Sequence, residues 1–183
     1  LMKQGATSGA CCVPACSDGA CGGDDGCGRT CGCSTGSVCN DGTCARCTVT
    51  CTGTALACST NLKLALQEGG TIIVCPGRYT GSFEVRKNTT LIGAGPGADP
   101  AKNTIIDGQG TEVPTLFVFP NPMPVTFKMT GVRVTGANVS SLAGGGMYCE
   151  HDTDVRLTNC AITGNKTKSA GGGIVSFGSL RLT

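Results

Sequence analysis

The chain has no tryptophan, and only 4% of its 183 residues are aromatic and 14% charged. So little aromatic bulk argues against an ordinary globular core and leaves architectures that pack rows of small and β-branched side chains. Its 14 basic and 12 acidic side chains nearly cancel, so the basic footprint expected of a nucleic-acid binder is missing. No apolar run approaches the length of a transmembrane segment. The opening LMKQGATSG lacks the apolar core of a secretory leader, which makes a processed or partly represented N-terminus the expectation. Histidine is limited to His151. Asn-Gly-type two-residue turns are absent between the short apolar runs of the second two-thirds, which argues against a hairpin meander there.

What is present in excess is cysteine and glycine. Of 15 cysteines, 12 fall between Cys11 and Cys58, a density that points to an oxidising compartment and hence to an extracellular or cell-surface location. An odd total leaves at least one thiol unpaired or bonded to another chain. Residues 1–53 form a cysteine-rich module carrying Cys11, Cys12, Cys16, Cys21, Cys27, Cys31, Cys33, Cys39, Cys44, Cys47 and Cys51, separated mainly by Gly, Ser, Thr, Asp and Asn. Such a segment buries too little apolar surface to offset its ordering entropy, so cross-links must hold it, although spacing alone does not give their pairing. Two metal readings compete: zinc at Cys44-Ala-Arg-Cys47 and calcium at Asp24 and Asp25. A disulfide knot is favoured over both. CGGDDGCGRTCGCSTGSVCNDGTC (21–44) resembles the Cys/Gly-rich segments of secreted and surface-exposed bacterial proteins, which implies location more than activity.

Residues 54–70 carry the chain's helical signal. Leu56, Leu62, Ala65 and Leu66 recur at spacings of three and four, and Gly69 and Gly70 supply the stop. Placed ahead of a solenoid, this helix would cover the open end of the first coil. A bridge between Cys58 on the helix and Cys75 after the first strand would pin it, and Cys149 and Cys160 are the candidates for a further bridge.

Beyond residue 70 the sequence repeats itself. The glycine triplets at 144–146 and 171–173 lie 27 residues apart, VRLT (155–158) recurs as LRLT (180–183), and VTFKMTGVRVTG (125–136) overlays TDVRLTNCAITG (153–164) without a gap. Short alternating strands at a period near 25 predict a mainly β chain: a parallel β-helix of about four to five coils over 71–183, preceded by the helix and the disulfide-rich extension. Alternation places Val132, Val134, Val155, Leu157, Leu180 and Leu182 inside. It puts Arg133, Arg156 and Arg181 outside, as a solvent face or as a basic stripe for an acidic polysaccharide.

From TIIVCPGRYTGSF through TLIGAGPGADPAKNTIIDGQG to GGGIVSFGSLRLT, the chain resembles right-handed parallel β-helix repeat proteins of bacteria. The GGGM and GGGI triplets with LTN-type turns are similar to repeats of adhesin-like surface proteins. That resemblance implies a right-handed coil. The same fold family includes pectate lyases and polygalacturonase-like hydrolases, so an enzyme needs testing. Asp107, Asp152 and Asp154 are the candidate carboxylates for hydrolysis. Glu150, Asp152, Asp154 and Arg156 alternate along one face as a candidate calcium or saccharide site, with His151 beside them as a candidate base. Neither enzyme family's motif is matched in full, so no catalytic residue is assigned. Asn88, Asn138 and Asn165 head glycosylation acceptor triplets.

Thr183 falls within a coil, so either the chain continues or a neighbouring copy covers an open end, a contact that would build a filament or sheath. The expectation is a secreted or surface-attached structural or adhesive β-helix, partnered by further copies of itself or by other surface proteins. The alternative is one that binds or degrades an extracellular polysaccharide. No nucleic acid is expected as partner, and no cofactor, with Ca²⁺ the one ion for which the sequence offers candidate ligands.

Overall fold

The computed structural model describes residues 21–23, 32–40, 42–140 and 143–183. Cys11, Cys12, Cys16, Cys27 and Cys31, with Asp24 and Asp25, lie outside the described residues. The described part of the cysteine module contains an antiparallel hairpin of β1 (Ser37–Asn40) and β2 (Thr43–Arg46). The helix α1 (Ala55–Glu68) follows.

Four coils come next. The first holds β3 (Gly70–Ile73), β4 (Gly77–Thr80) and β5 (Phe83–Val85), and the second holds β6 (Thr89–Ile92), β7 (Thr104–Asp107) and β8 (Leu116–Val118). The third runs through β9 (Val125–Thr130), β10 (Val132–Thr135), β11 (Asn138–Val139) and β12 (Met147–Cys149). The fourth repeats that order in β13 (Thr153–Thr158), β14 (Ala161–Ile162), β15 (Lys166–Thr167) and β16 (Ile174–Ser176), and β17 (Ser179–Leu182) continues the stack. Each strand pairs in parallel with its equivalent in the next coil, which makes the chain a mainly β parallel solenoid of about four turns. The stacked strands form a sheet β17-β13-β9-β6-β3, a sheet β14-β10-β7-β4, a sheet β16-β12-β8-β5 and a short β11-β15 pair.

The ungapped overlay seen in the sequence is the physical register: Phe127 pairs with Val155 and Met129 with Leu157, 28 residues on. The period is not uniform. Thr71, Thr90, Lys128, Arg156 and Arg181 are successive register partners, so the steps are 19, 38, 28 and 25 residues. The long second step includes the irregular segment 93–103, which is clamped by Arg133 Nε donating to the Pro96 and Gly97 carbonyls at 3.0 and 3.1 Å. The glycine triplets are where coil backbones meet most closely. Gly145 N–H donates to the Gly171 carbonyl at 3.1 Å, and a Cβ on Gly145 would stand 2.5 Å from the Gly172 carbonyl oxygen.

Inside, three files of side chains stack like on like: Ile72–Leu91–Met129–Leu157, Tyr79–Ile106–Val134–Ile162 and Phe83–Leu116–Met147–Ile174. Val132, Val134, Val155 and Leu157 are buried, as alternation requires. Leu180 and Leu182 continue the inward file in register with Val155 and Leu157, with Leu182 62% exposed in the last coil. Outside, the basic file differs from the expected one. Arg156 stacks between Lys128 and Arg181, whereas Arg133 lies in a different sheet beside Ile105 and Ala161. VRVT resembles VRLT as a tetrapeptide, but the 28-residue register sets VRVT against CAIT.

α1 starts at Thr54, whose hydroxyl accepts the Ala57 N–H at 3.3 Å, and stops at Gly69 with φ 74°. Its buried face is Cys58, Ser59, Leu62 and Leu66, closing the first coil over β4 and β5. The expected stripe is corrected at one position: Leu56 is 76% exposed, because the face turned to the coil begins at Cys58. Ser59 Oγ fastens the helix, accepting the Thr80 N–H at 2.7 Å.

The expected Cys58–Cys75 bridge is also corrected. Cys58 pairs with Cys51 and Cys75 with Cys47, because Val49 lies as a parallel bridge partner on Val74 and carries Cys47 and Cys51 to opposite sides of that contact. Cys51 and its bridge pack on Gly77, where a Cβ would meet the Cys51 Cβ at 2.6 Å. Cys149 and Cys160 are free thiols rather than a pair: Cys149 points into the core in register with Val118, and Cys160 belongs to the neighbouring sheet, following β13.

Candidate functional site

The chain's seven aromatic rings divide into two groups. Tyr79, Phe83 and Phe127 are fully buried core residues. The other four gather on the outward face of the β16-β12-β8-β5 sheet. Phe117 on β8 and Tyr148 on β12 are register partners with ring centroids 5.8 Å apart, and Tyr148 stands 5.7 Å from Phe177, just beyond β16. Phe119 joins edge-on to Phe117 at 6.3 Å, and His151 lies 5.2 Å from Phe177.

The file follows from local sequence. In Leu116-Phe117-Val118 and Met147-Tyr148-Cys149 the flanking side chains are buried, so period-two alternation forces the ring between them outward. Parallel stacking then sets rings one coil apart, at about the 4.8 Å strand spacing plus their tilt. Arg86 spreads over Phe119 with its guanidinium carbon 3.6 Å from the ring centroid, while its Nε donates to Glu84 at 3.0 Å.

Two depressions flank Phe117. One, of about 730 Å³, lies towards α1 and is lined by Lys63, Gln67, Glu84, Arg86 and Lys87. The other, of about 470 Å³, is bounded by Phe119, Pro120, Glu150, His151 and Asp152. Burial first, and then the neighbouring Glu150 carboxylate, raises the pKa of the Tyr148 phenol, so Tyr148 is a neutral ring and hydroxyl donor at neutral pH.

The expected carboxylate candidates do not form one constellation. Asp107 ends β7 in the β14-β10-β7-β4 sheet, where its carboxylate pairs with Arg78 and accepts the Gln109 N–H at 2.9 Å, an Asx turn between strands. Asp154 lies on β13 in another sheet, 2.7 Å from Arg156, whose hydrogen bond holds the carboxyl below its usual pKa. The predicted alternation of Glu150, Asp152, Asp154 and Arg156 along one face is broken at Asp152, which sits at φ 59° in the turn before β13. Glu150, His151 and Asp152 therefore line the corner cavity beside the aromatic file, and Asp154 and Arg156 follow on the next sheet. The zinc reading of Cys44 and Cys47 is corrected. The Cys21, Cys33 and Cys44 sulfurs lie within 4.8 Å of one another because the Cys21–Cys39 and Cys33–Cys44 disulfides are neighbours, and Cys47 is bonded elsewhere.

Among the acceptor asparagines, Asn165 has its amide engaged at both ends, accepting from Ala137 N–H and donating to the Val134 carbonyl, each at 3.1 Å. Asn88 accepts the Thr126 N–H at 2.8 Å, and Asn138 is exposed on β11.

The aromatic file was missed in the sequence because its rings recur irregularly. Phe117 to Tyr148 is 31 residues and Tyr148 to Phe177 is 29, a relation visible only once coil register is known. Comparison with protein-family models, with curated proteins and with solved structures finds no match to this chain.

Proposed function

We propose that this chain is an extracellular carbohydrate-binding β-helix that adheres to a linear sugar chain through Phe117, Tyr148 and Phe177, without cleaving it. One observation carries this reading: every aromatic ring outside the core lies in a single outward file. Rings held in water forgo the stabilisation of burial, so a file of them marks a contact surface rather than packing. A pyranose presents an apolar face of C–H groups, which meets the negative face of an aromatic ring favourably, while its hydroxyl rim reaches polar groups at the edge. Here Glu150, Asp152 and the Tyr148 hydroxyl supply such partners. Rungs spaced 5.7–5.8 Å apart along the solenoid axis suit successive units of an extended chain.

The four disulfides among the described residues agree with an oxidising, extracellular setting. The adhesin-like resemblance accords better with this surface than the lyase-like one does. A cleaving site needs two carboxylates across one bond, whereas Asp107 and Asp154 occupy different sheets and each is held by an arginine.

Affinity electrophoresis through gels containing soluble polysaccharides tests the proposal. Retardation by at least one sugar is expected, retained in Tyr148→Phe. At about 0.5–1.5 kcal/mol per ring contact, Tyr148→Ala and Phe177→Ala weaken it about two- to twelvefold each. Equal mobility of all variants in every gel sinks the proposal, and new reducing ends after incubation would replace adhesion with cleavage.

A further inference from the structure

Resting on the carbohydrate-binding reading, we infer that the cavity between α1 and Phe117 receives an acidic substituent, a carboxylate or a sulfate, of the bound sugar chain. This cavity opens directly onto the first rung of the file, since Phe117 is part of its wall. Lys63 from α1, and Arg86 and Lys87 from the turn after β5, converge there against one wall carboxylate, Glu84.

Glu84 is already taken, because it accepts the Arg86 Nε–H at 3.0 Å, and the Arg86 guanidinium is spread over Phe119. Among the described residues no carboxylate lies within ion-pair distance of Lys63 or Lys87. Two cations therefore face the same cavity without counter-charge. Lys63 is steered there, with its Nζ 5.8 Å from the centroid of the Phe83 ring beneath it, and the Lys87 stem is packed along Gly69 at the helix stop. Like charges converging in this way raise each other's energy, and a bound anion relieves that cost.

The opposite side of Phe117 has the reverse sign: Glu150 and Asp152 line the corner cavity. An acidic group on a sugar lying along the rings is thus attracted to the α1 side and repelled from the corner. The charge asymmetry sets which way round the chain lies as well as which chain is accepted. A carboxylate and a sulfate share the required chemistry, a compact anion at the edge of a pyranose.

An array of linear oligosaccharides of glucose, xylose, galactose and N-acetylglucosamine tests this, each printed neutral, with one uronate unit and with one sulfate. The wild-type protein is expected to bind uronate or sulfate members at least tenfold more strongly than their neutral counterparts, with a preference that falls as salt rises. The double variant Lys63→Gln/Lys87→Gln, altered at two exposed positions, should bind neutral and acidic members alike at the wild-type neutral level. Tyr148→Ala should weaken both. Equal wild-type binding of neutral and acidic members overturns the acidic subsite while leaving the ring file intact. A preference that survives the double variant overturns the assignment to Lys63 and Lys87. Binding of no sugar at all overturns the carbohydrate reading and this inference together.

Discussion

Leu56 and Leu62 lie six residues apart on the same helix and offer a controlled comparison, because truncating each to alanine removes the same atoms from two different surroundings. Leu62 is 0% exposed beneath the helix and Leu56 is 76% exposed. If α1 is the lid of the first coil, Leu62→Ala opens a cavity in a core bounded by stacked strands that cannot readily collapse into it. Fully buried leucines in such settings cost about 2–5 kcal/mol. Leu56→Ala, by contrast, changes stability by no more than about 0.5 kcal/mol. Helix propensity favours alanine slightly at both positions and cancels in the comparison. Taking about 3 kcal/mol for Leu62→Ala and a urea slope of about 2 kcal/mol/M, the midpoint falls by about 1.5 M. The assay is urea denaturation followed by circular dichroism, with disulfides intact in all three proteins so that the unfolded reference is shared. Hydrogen exchange should place the loss first in β3, β4 and β5, since a solenoid unit leans on its immediate neighbours. Equal midpoints for the two variants, or a larger loss at Leu56, would refute the lid.

Thr104→Val keeps the shape of a buried side chain but removes the hydroxyl that accepts the Ala94 N–H at 2.9 Å and donates to the Val74 carbonyl at 2.9 Å. It should cost about 1–3 kcal/mol in the same denaturation assay, and a neutral result would mean those groups find other partners. Burial pushes the Cys149 thiol up to about 12. At pH 8 a maleimide should therefore label it at least a hundredfold more slowly in the folded protein than in urea. Between the ordinary thiol value and about 12 the unfolded chain is ionised while the folded one is not, so this residue makes stability fall as pH rises. Fast labelling of Cys149 in the folded state would contradict its inward position. The Arg156 hydrogen bond holds the Asp154 carboxyl below its ordinary value. The stabilising effect of this pair is complete above the unfolded carboxylate pKa and lost as pH falls through the lowered folded one. Arg156→Gln should move the Asp154 midpoint upwards in a side-chain NMR titration, and an unchanged midpoint would disprove the pairing.

The solenoid was legible because coil-to-coil register is written into the chain wherever two coils share a length. VTFKMTGVRVTG and TDVRLTNCAITG are stacked at the offset at which they align, and the glycine triplets abut each other because only hydrogen fits between those backbones. Where step length changes, sequence similarity misleads. Arg133 looks like a member of the Arg156 file by its tetrapeptide, yet its coil position is that of Ala161. GRYT was passed over as a strand because Pro76-Gly77 looks like a turn, although Gly77 opens β4 beside the Cys51–Cys58 bridge. The β1–β2 hairpin carried a signal that could have been used, an Asp41-Gly42 pair between two short runs. Cysteine pairing was out of reach because it depends on Val49 docking against Val74, a contact made by a single residue. The ring file was hidden for a related reason: its members belong together only through parallel stacking of unequal coils.

Tyrosine emission gives the most direct measurement of the account's central claim, since the chain has no tryptophan and two tyrosines, of which Tyr79 is buried and Tyr148 is a rung of the file. Titrating the sugar that binds best on the array should change wild-type emission along a saturating curve with the calorimetric affinity. Tyr148→Phe should bind that sugar with no emission change. Binding that leaves Tyr148 emission untouched, or an emission change that persists in Tyr148→Phe, would place the sugar elsewhere and contradict the account.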